Sequence, residues 1–86
     1  MPKVKLFARF REVAGVGEVE VEGRTLAEIL ENLCREFPKL KETLFEGKKL
    51  RDFVHIMVNG KNARGNLEFQ VSDSDVVAIF PPVSGG

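Results

Sequence analysis

Tryptophan and tyrosine are missing from this chain, and cysteine and histidine occur once each, as Cys34 and His55. A single cysteine closes no internal disulfide and builds no thiolate site for zinc or an iron–sulfur cluster, which removes a ferredoxin-like electron carrier from consideration. Net charge is missing too, with thirteen basic residues against thirteen acidic ones. That balance argues against a dedicated nucleic-acid binder, which needs a basic footprint. Apolar runs fall far short of the ~20 residues of a membrane-spanning helix, so no membrane partner is expected. Met1-Pro2-Lys3 leads straight into a strand pattern with no signal-peptide pattern, and a cytoplasmic protein is expected. No Ser/His/Asp set, paired-carboxylate motif or phosphate-binding glycine loop is present, so the chain is not a complete enzyme on its own.

What remains is a small, foldable domain. Eighty-six residues, 43% of them hydrophobic, are read as one domain over 1–86, with 81–86 as an extended, flexible C-terminal tail. Residues 3–10 alternate as a strand: Val4, Leu6, Ala8 and Phe10 on one face, Lys3, Lys5 and Arg9 on the other. Phe7 breaks the pattern by sitting on the charged face. A turn region with Gly15 and Gly17 precedes a second alternating strand, Glu18-Val19-Glu20-Val21-Glu22, which suggests a hairpin. Thr25-Leu26-Ala27-Glu28 is a capping box, and Leu26, Ile29, Leu30, Leu33, Cys34 and Phe37 follow at helical spacing until Pro38. Cys34 lies in that apolar stripe and reads as a packed thiol. Leu40, Leu44 and Phe45 suggest a short helical turn stopped by Gly47. Lys48-Lys49-Leu50-Arg51 reads as a solvated basic loop.

Val54-His55-Ile56-Met57-Val58 is the next strand, closed by the Asn59-Gly60 turn signal. His55, without a second ligand or an acid beside it, reads as an ordinary half-exposed strand residue and as no metal site. Leu67, Phe69 and Val71 imply a short strand or extended segment. Val76-Val77-Ala78-Ile79-Phe80, apolar on both faces, is either a central strand or one whose second face meets a partner. The pattern as a whole predicts an α+β domain, with one main helix across a mixed sheet of about five strands.

The last strand feeds Pro81-Pro82-Val83-Ser84-Gly85-Gly86. Two prolines end the ladder and favour an extended path, so the tail reaches roughly 20 Å from its root. Gly85 and Gly86 have no side chain to obstruct a narrow slot. A thin probe of this shape suits chemistry on the terminal carboxylate, which becomes an electrophile once ATP converts it to an acyl-adenylate. A frayed glycine-rich terminus is the plain alternative.

The string Asp73-Ser74-Asp75-Val76-Val77-Ala78-Ile79-Phe80-Pro81-Pro82-Val83-Ser84-Gly85-Gly86 resembles the C-terminal signature of the MoaD/ThiS sulfur-carrier family, most closely the MoaD branch, the small subunits of molybdopterin synthase. Val4-Lys5-Leu6-Phe7-Ala8-Arg9-Phe10-Arg11-Glu12 resembles that family's first strand and the residues after it. The resemblance implies a β-grasp (ubiquitin-like) fold in which the first and last strands run parallel, side by side. It implies that Gly86 is adenylated by an ATP-dependent, ubiquitin-activating-like adenylyltransferase. A persulfide sulfur donor then displaces AMP to leave a thiocarboxylate, with no bound cofactor. Gly85 allows the tail, which includes Ser84, to thread, Pro81 and Pro82 aim it, and Phe7 with Phe80 form an apolar patch that docks partners. The expected partner is the large subunit of molybdopterin synthase, in a heterotetramer that builds the molybdenum or tungsten cofactor. Three alternatives stay open: a ubiquitin-like protein modifier conjugated through Gly-Gly, a carrier for tRNA thiolation or thiamine synthesis, and a plain protein-binding module.

Overall fold

The computed structural model describes residues 1–63 and 65–81. Strand β1 (Lys3–Leu6) is followed by helix α1 (Ala8–Ala14) and strand β2 (Glu18–Glu20). Helices α2 (Leu26–Glu36) and α3 (Pro38–Leu44) come next, then the two-residue strands β3 (Phe45–Glu46) and β4 (Lys49–Leu50). Strands β5 (His55–Val58), β6 (Lys61–Asn62) and β7 (Val76–Phe80) complete the order.

Five strands form the main sheet in the order β2-β1-β7-β5-β6, and β3 and β4 make a separate hairpin. β1 pairs parallel with β7, in register Lys3↔Val76 to Leu6↔Ile79. β7 runs antiparallel to β5, from His55↔Phe80 to Val58↔Val77. The last strand thus occupies the middle of the sheet, with Val77 and Ile79 buried on one face and Val76, Ala78 and Phe80 half-buried on the other.

The alternation of β1, β5 and β7 turns Val4, Leu6, Ile56, Val58, Val77 and Ile79 inward. Against them α2 sets Leu26, Ile29, Leu30 and Leu33, all buried. Leu40 and Leu44 of α3 and Phe10 of α1 close the core. Each such side chain contributes roughly 1.5–3 kcal/mol by leaving water. No buried side-chain nitrogen or oxygen among the described residues lacks a hydrogen-bond partner.

The capping box of α2 forms with a shift of one residue. The Glu28 amide donates to Thr25 Oγ1 at 3.2 Å, but the Glu28 carboxylate accepts from the Arg24 amide at 3.0 Å rather than from Thr25. Two further orphan donors of the first turn are met by the 67–71 segment: Leu26 N–H donates to the Phe69 carbonyl at 3.0 Å and Ala27 N–H to that of Leu67 at 2.8 Å. Of the short strand or extended segment expected at Leu67, Phe69 and Val71, no sheet strand forms. The segment's backbone serves the helix and pairs only through the isolated bridge Thr25↔Gln70.

Two further expectations are corrected. The strand over 3–10 ends at Leu6, and residues 8–14 are helical. Ala8 takes φ 50, which turns the chain out of the sheet. Phe10 still reaches the core, now as the buried residue of α1. The one main helix expected is α2, at 11 residues, and the short helical turn expected around Leu40 and Leu44 is α3. Finally, Gly47 does not stop α3, which ends at Leu44. It lies, with φ 65, between β3 and β4 and turns that hairpin.

Candidate functional site at the root of the tail

The sequence turns one hairpin and anchors one strand with the same residue, Asn59. Asn59 and Gly60 hold φ values of 51 and 82, the left-handed pair that joins β5 to β6. From that position Asn59 Oδ1 accepts the Val76 amide at 2.8 Å, the first donor of β7. Its Nδ2 donates to Asp75 Oδ1 at 2.7 Å, and the other Asp75 oxygen accepts the Ser72 amide at 2.7 Å. The Ser72 amide, with help from Asn59, holds the Asp75 carboxyl below its usual value. The strand that carries the tail is thereby fixed at its first residue.

The other end of β7 meets Phe7. The Phe7 amide donates to the Ile79 carbonyl at 3.2 Å, the last rung between the two segments. The Phe7 and Phe80 rings then meet edge-on, with centroids 6.3 Å apart and planes at 85°. His55, opposite Phe80 in the register, stacks on it at 6.0 Å and 17°. Phe7 keeps 45% of its surface exposed, a large share for an aromatic ring. The half-buried Met57, Val76 and Ala78 continue this outward face of the sheet, and Lys3 and Lys5 border it. Lys3 is paired with Glu18 at 3.4 Å.

The structure therefore brings together Phe7 and Phe80, the two residues expected to dock partners, and sets Pro81 immediately beyond them. Pro82, Ser84, Gly85 and Gly86 lie outside the described residues. Sequence reasoning passed over His55 and Met57 as parts of this patch. The alternation Val54-His55-Ile56-Met57-Val58 carried the signal, since it sends 55 and 57 to the face opposite the core.

Cys34 stands apart from this cluster. It is half-buried on α2 and borders a cavity of about 520 Å³ with Ala27, Leu30, Lys41 and Phe45, a lining to which Phe7, Phe80 and Pro81 contribute nothing. Burial pushes its thiol up, and the neighbouring Lys41 charge opposes this only in part. A raised value gives a poor nucleophile. Among the described residues no three His, Cys, Asp or Glu side chains group as a metal site, and no helix is long and apolar enough to cross a membrane.

Comparison with known proteins agrees with this geometry. A model of the ThiS family matches residues 4–86. Small archaeal modifier protein 1 of Haloferax volcanii is 37% identical over 86 residues, covering 95% of this chain and 97% of that protein. The molybdopterin synthase sulfur carrier subunit of Arabidopsis thaliana is 34% identical over 87 residues, covering 98% of this chain and 81% of that one. In the crystal structure of the Amycolatopsis orientalis BexX/CysO complex, a chain 31% identical superposes with a TM-score of 0.89 over the full length of both. The five-stranded mixed sheet with its helices is the ubiquitin-like β-grasp fold of these neighbours. The chain belongs to the ThiS family of ubiquitin-like sulfur carriers.

Proposed function

We propose that this chain is the sulfur-carrying small subunit of a molybdopterin synthase, with Gly86 as its reactive residue. The observation that carries the reading is the family match running through to residue 86, on a tail that leaves a central, doubly anchored strand. An adenylyltransferase joins the Gly86 carboxylate to AMP and releases pyrophosphate. A persulfide sulfur attacks the acyl carbon and expels AMP, and a thiol reduces the resulting acyl disulfide to a thiocarboxylate. Sulfur is then handed to the pterin precursor in the large subunit, and Gly86 returns to a carboxylate. This chain's own contribution is positional. Pro81 fixes its own φ at the exit from β7, while Phe7 and Phe80 offer the apolar contact beside it.

A second reading is favoured by a different finding. Two relatives, 37% and 29% identical, are named as small archaeal modifier proteins. In that reading a lysine amine, rather than a sulfur, attacks the Gly86 adenylate and an isopeptide bond forms.

Intact mass of the protein, produced with its own adenylyltransferase and sulfur donor, separates the readings. A gain of one oxygen-to-sulfur exchange at Gly86 supports the carrier. Lysine-linked conjugates with an unmodified carboxylate support the modifier. Neither product, with a competent adenylyltransferase, overturns both and leaves a binding module.

A further inference from the structure

Beside the Phe7–Phe80 pair lies a groove of about 530 Å³ bordered by Arg9, Glu42, Arg51, Phe53 and Pro81. Its charge is unbalanced: two guanidinium groups face one carboxylate. Arg9 is exposed on the first turn of α1 and makes no ion pair among the described residues. Arg51 is held in place instead. Its Nε donates to the Glu42 carbonyl at 3.0 Å, and its guanidinium lies 6.0 Å from the centroid of the Phe53 ring. That arrangement leaves the terminal nitrogens of Arg51 with donors to spare. Phe53 itself is 45% exposed, as much as Phe7. An exposed ring with a guanidinium above it and a second cation nearby is suited to a segment that offers both a carboxylate and an apolar side chain.

We infer that this groove is a second docking site, filled by an acidic, partly apolar segment of the enzyme that adenylates the tail. The inference rests on the carrier reading and names where that partner is recognised. Pro81 borders the groove, so an enzyme gripping residues 82–86 comes within a few residues of Arg9 and Phe53. A carboxylate from it meets Arg9 and Arg51, and an apolar side chain covers Phe53. The apolar pair at Phe7 and Phe80 supplies contact area, while the groove supplies charge steering and orientation.

The test compares full-length wild-type protein with Arg9→Glu, Phe53→Ser and Lys61→Glu in binding kinetics with its adenylyltransferase, at low and high salt, with and without ATP. An acid in the first turn of α1 suits the helix dipole, so Arg9→Glu is compatible with the fold. Circular dichroism checks each variant. Arg9→Glu is expected to slow association about tenfold at low salt, with the gap closing at high salt. Phe53→Ser is expected to speed dissociation several-fold with little salt dependence. Lys61→Glu, on the edge strand β6 at the far side of the sheet, changes neither. Folded Arg9→Glu protein with wild-type association overturns the groove while leaving the carrier reading intact. A deficit that appears only with ATP shows that the arginines read a nucleotide phosphate, and overturns the acidic segment. Wild-type protein that the enzyme neither binds nor adenylates overturns the carrier reading and the groove with it.

Discussion

Phe7 and Phe80 meet edge to face with ring centroids 6.3 Å apart, one leaving the first strand and the other ending the last. The contact exists because β1 and β7 run parallel as neighbours, which carries both strands out at the same end of the sheet. Charging both positions, Phe7→Asp with Phe80→Asp, removes an aromatic anchor of the kind that dominates interfaces. Affinity for the adenylyltransferase should fall at least ~30-fold, equivalent to about 2 kcal/mol. Circular dichroism and thermal melting should show the fold intact. Unimpaired binding by the folded double variant would remove the patch from the docking surface.

The anchor of β7 should show in acid titration. Asp75 has its carboxyl lowered in the folded chain, chiefly by the Ser72 amide and then by Asn59. Its stabilising contribution is therefore complete above the unfolded carboxylate value of about 3.9, and drains away as pH falls through the lower folded value. Asn59→Ala removes the Asn59 donor to Asp75 and the acceptor of the Val76 amide. The variant should melt below wild type at neutral pH, with the gap narrowing as pH falls below the unfolded carboxylate value. A gap independent of pH would assign the loss to the turn and the Val76 bond alone.

Gly23 is required by space. A Cβ there would stand 2.8 Å from the Ile29 amide nitrogen and 2.9 Å from Ile29 Cδ1, at the start of the main helix. Backbone has to move to admit it. Gly23→Ala should cost about 1–3 kcal/mol, read as a lower midpoint in urea with unchanged slope. Wild-type stability would mean that this loop yields freely.

Cys34 should be dispensable for sulfur transfer. Its raised thiol predicts slow alkylation by iodoacetamide at neutral pH, with a rate that climbs along a pH profile displaced above that of a free cysteine. Cys34→Ser should keep thiocarboxylate formation within about twofold, at a cost of about 1 kcal/mol for a half-buried hydroxyl. Loss of transfer in folded Cys34→Ser protein would place sulfur on this residue.

The sequence-to-structure relation differs from element to element. The main helix was legible because its start, its stripe and its stop are all local: Thr25 caps, Leu26 to Leu33 repeat every three or four residues, and Pro38 cannot continue the run. The Asn59-Gly60 turn was legible for the same reason. Helix α1 was not, because Val4, Leu6, Ala8 and Phe10 satisfy a strand period. What ends the strand is the single left-handed residue Ala8, a type that does not advertise that conformation. The 67–71 segment has strand-like side chains, but its carbonyls are claimed by the first turn of α2, a distant demand that local pattern does not register.

The sequence by itself determined the parts whose physics is short-range: the capped helix, the alternating strands, the solitary cysteine, and a tail with two prolines and two glycines. Only the tertiary structure decided that β7 is central, that Phe7 and His55 both rest on Phe80, and that Arg9, Arg51 and Phe53 gather beside Pro81. Those are pairings between residues far apart in the chain. Strand order is chosen by burying the largest shared apolar surface, and that choice belongs to the whole sheet rather than to any one segment.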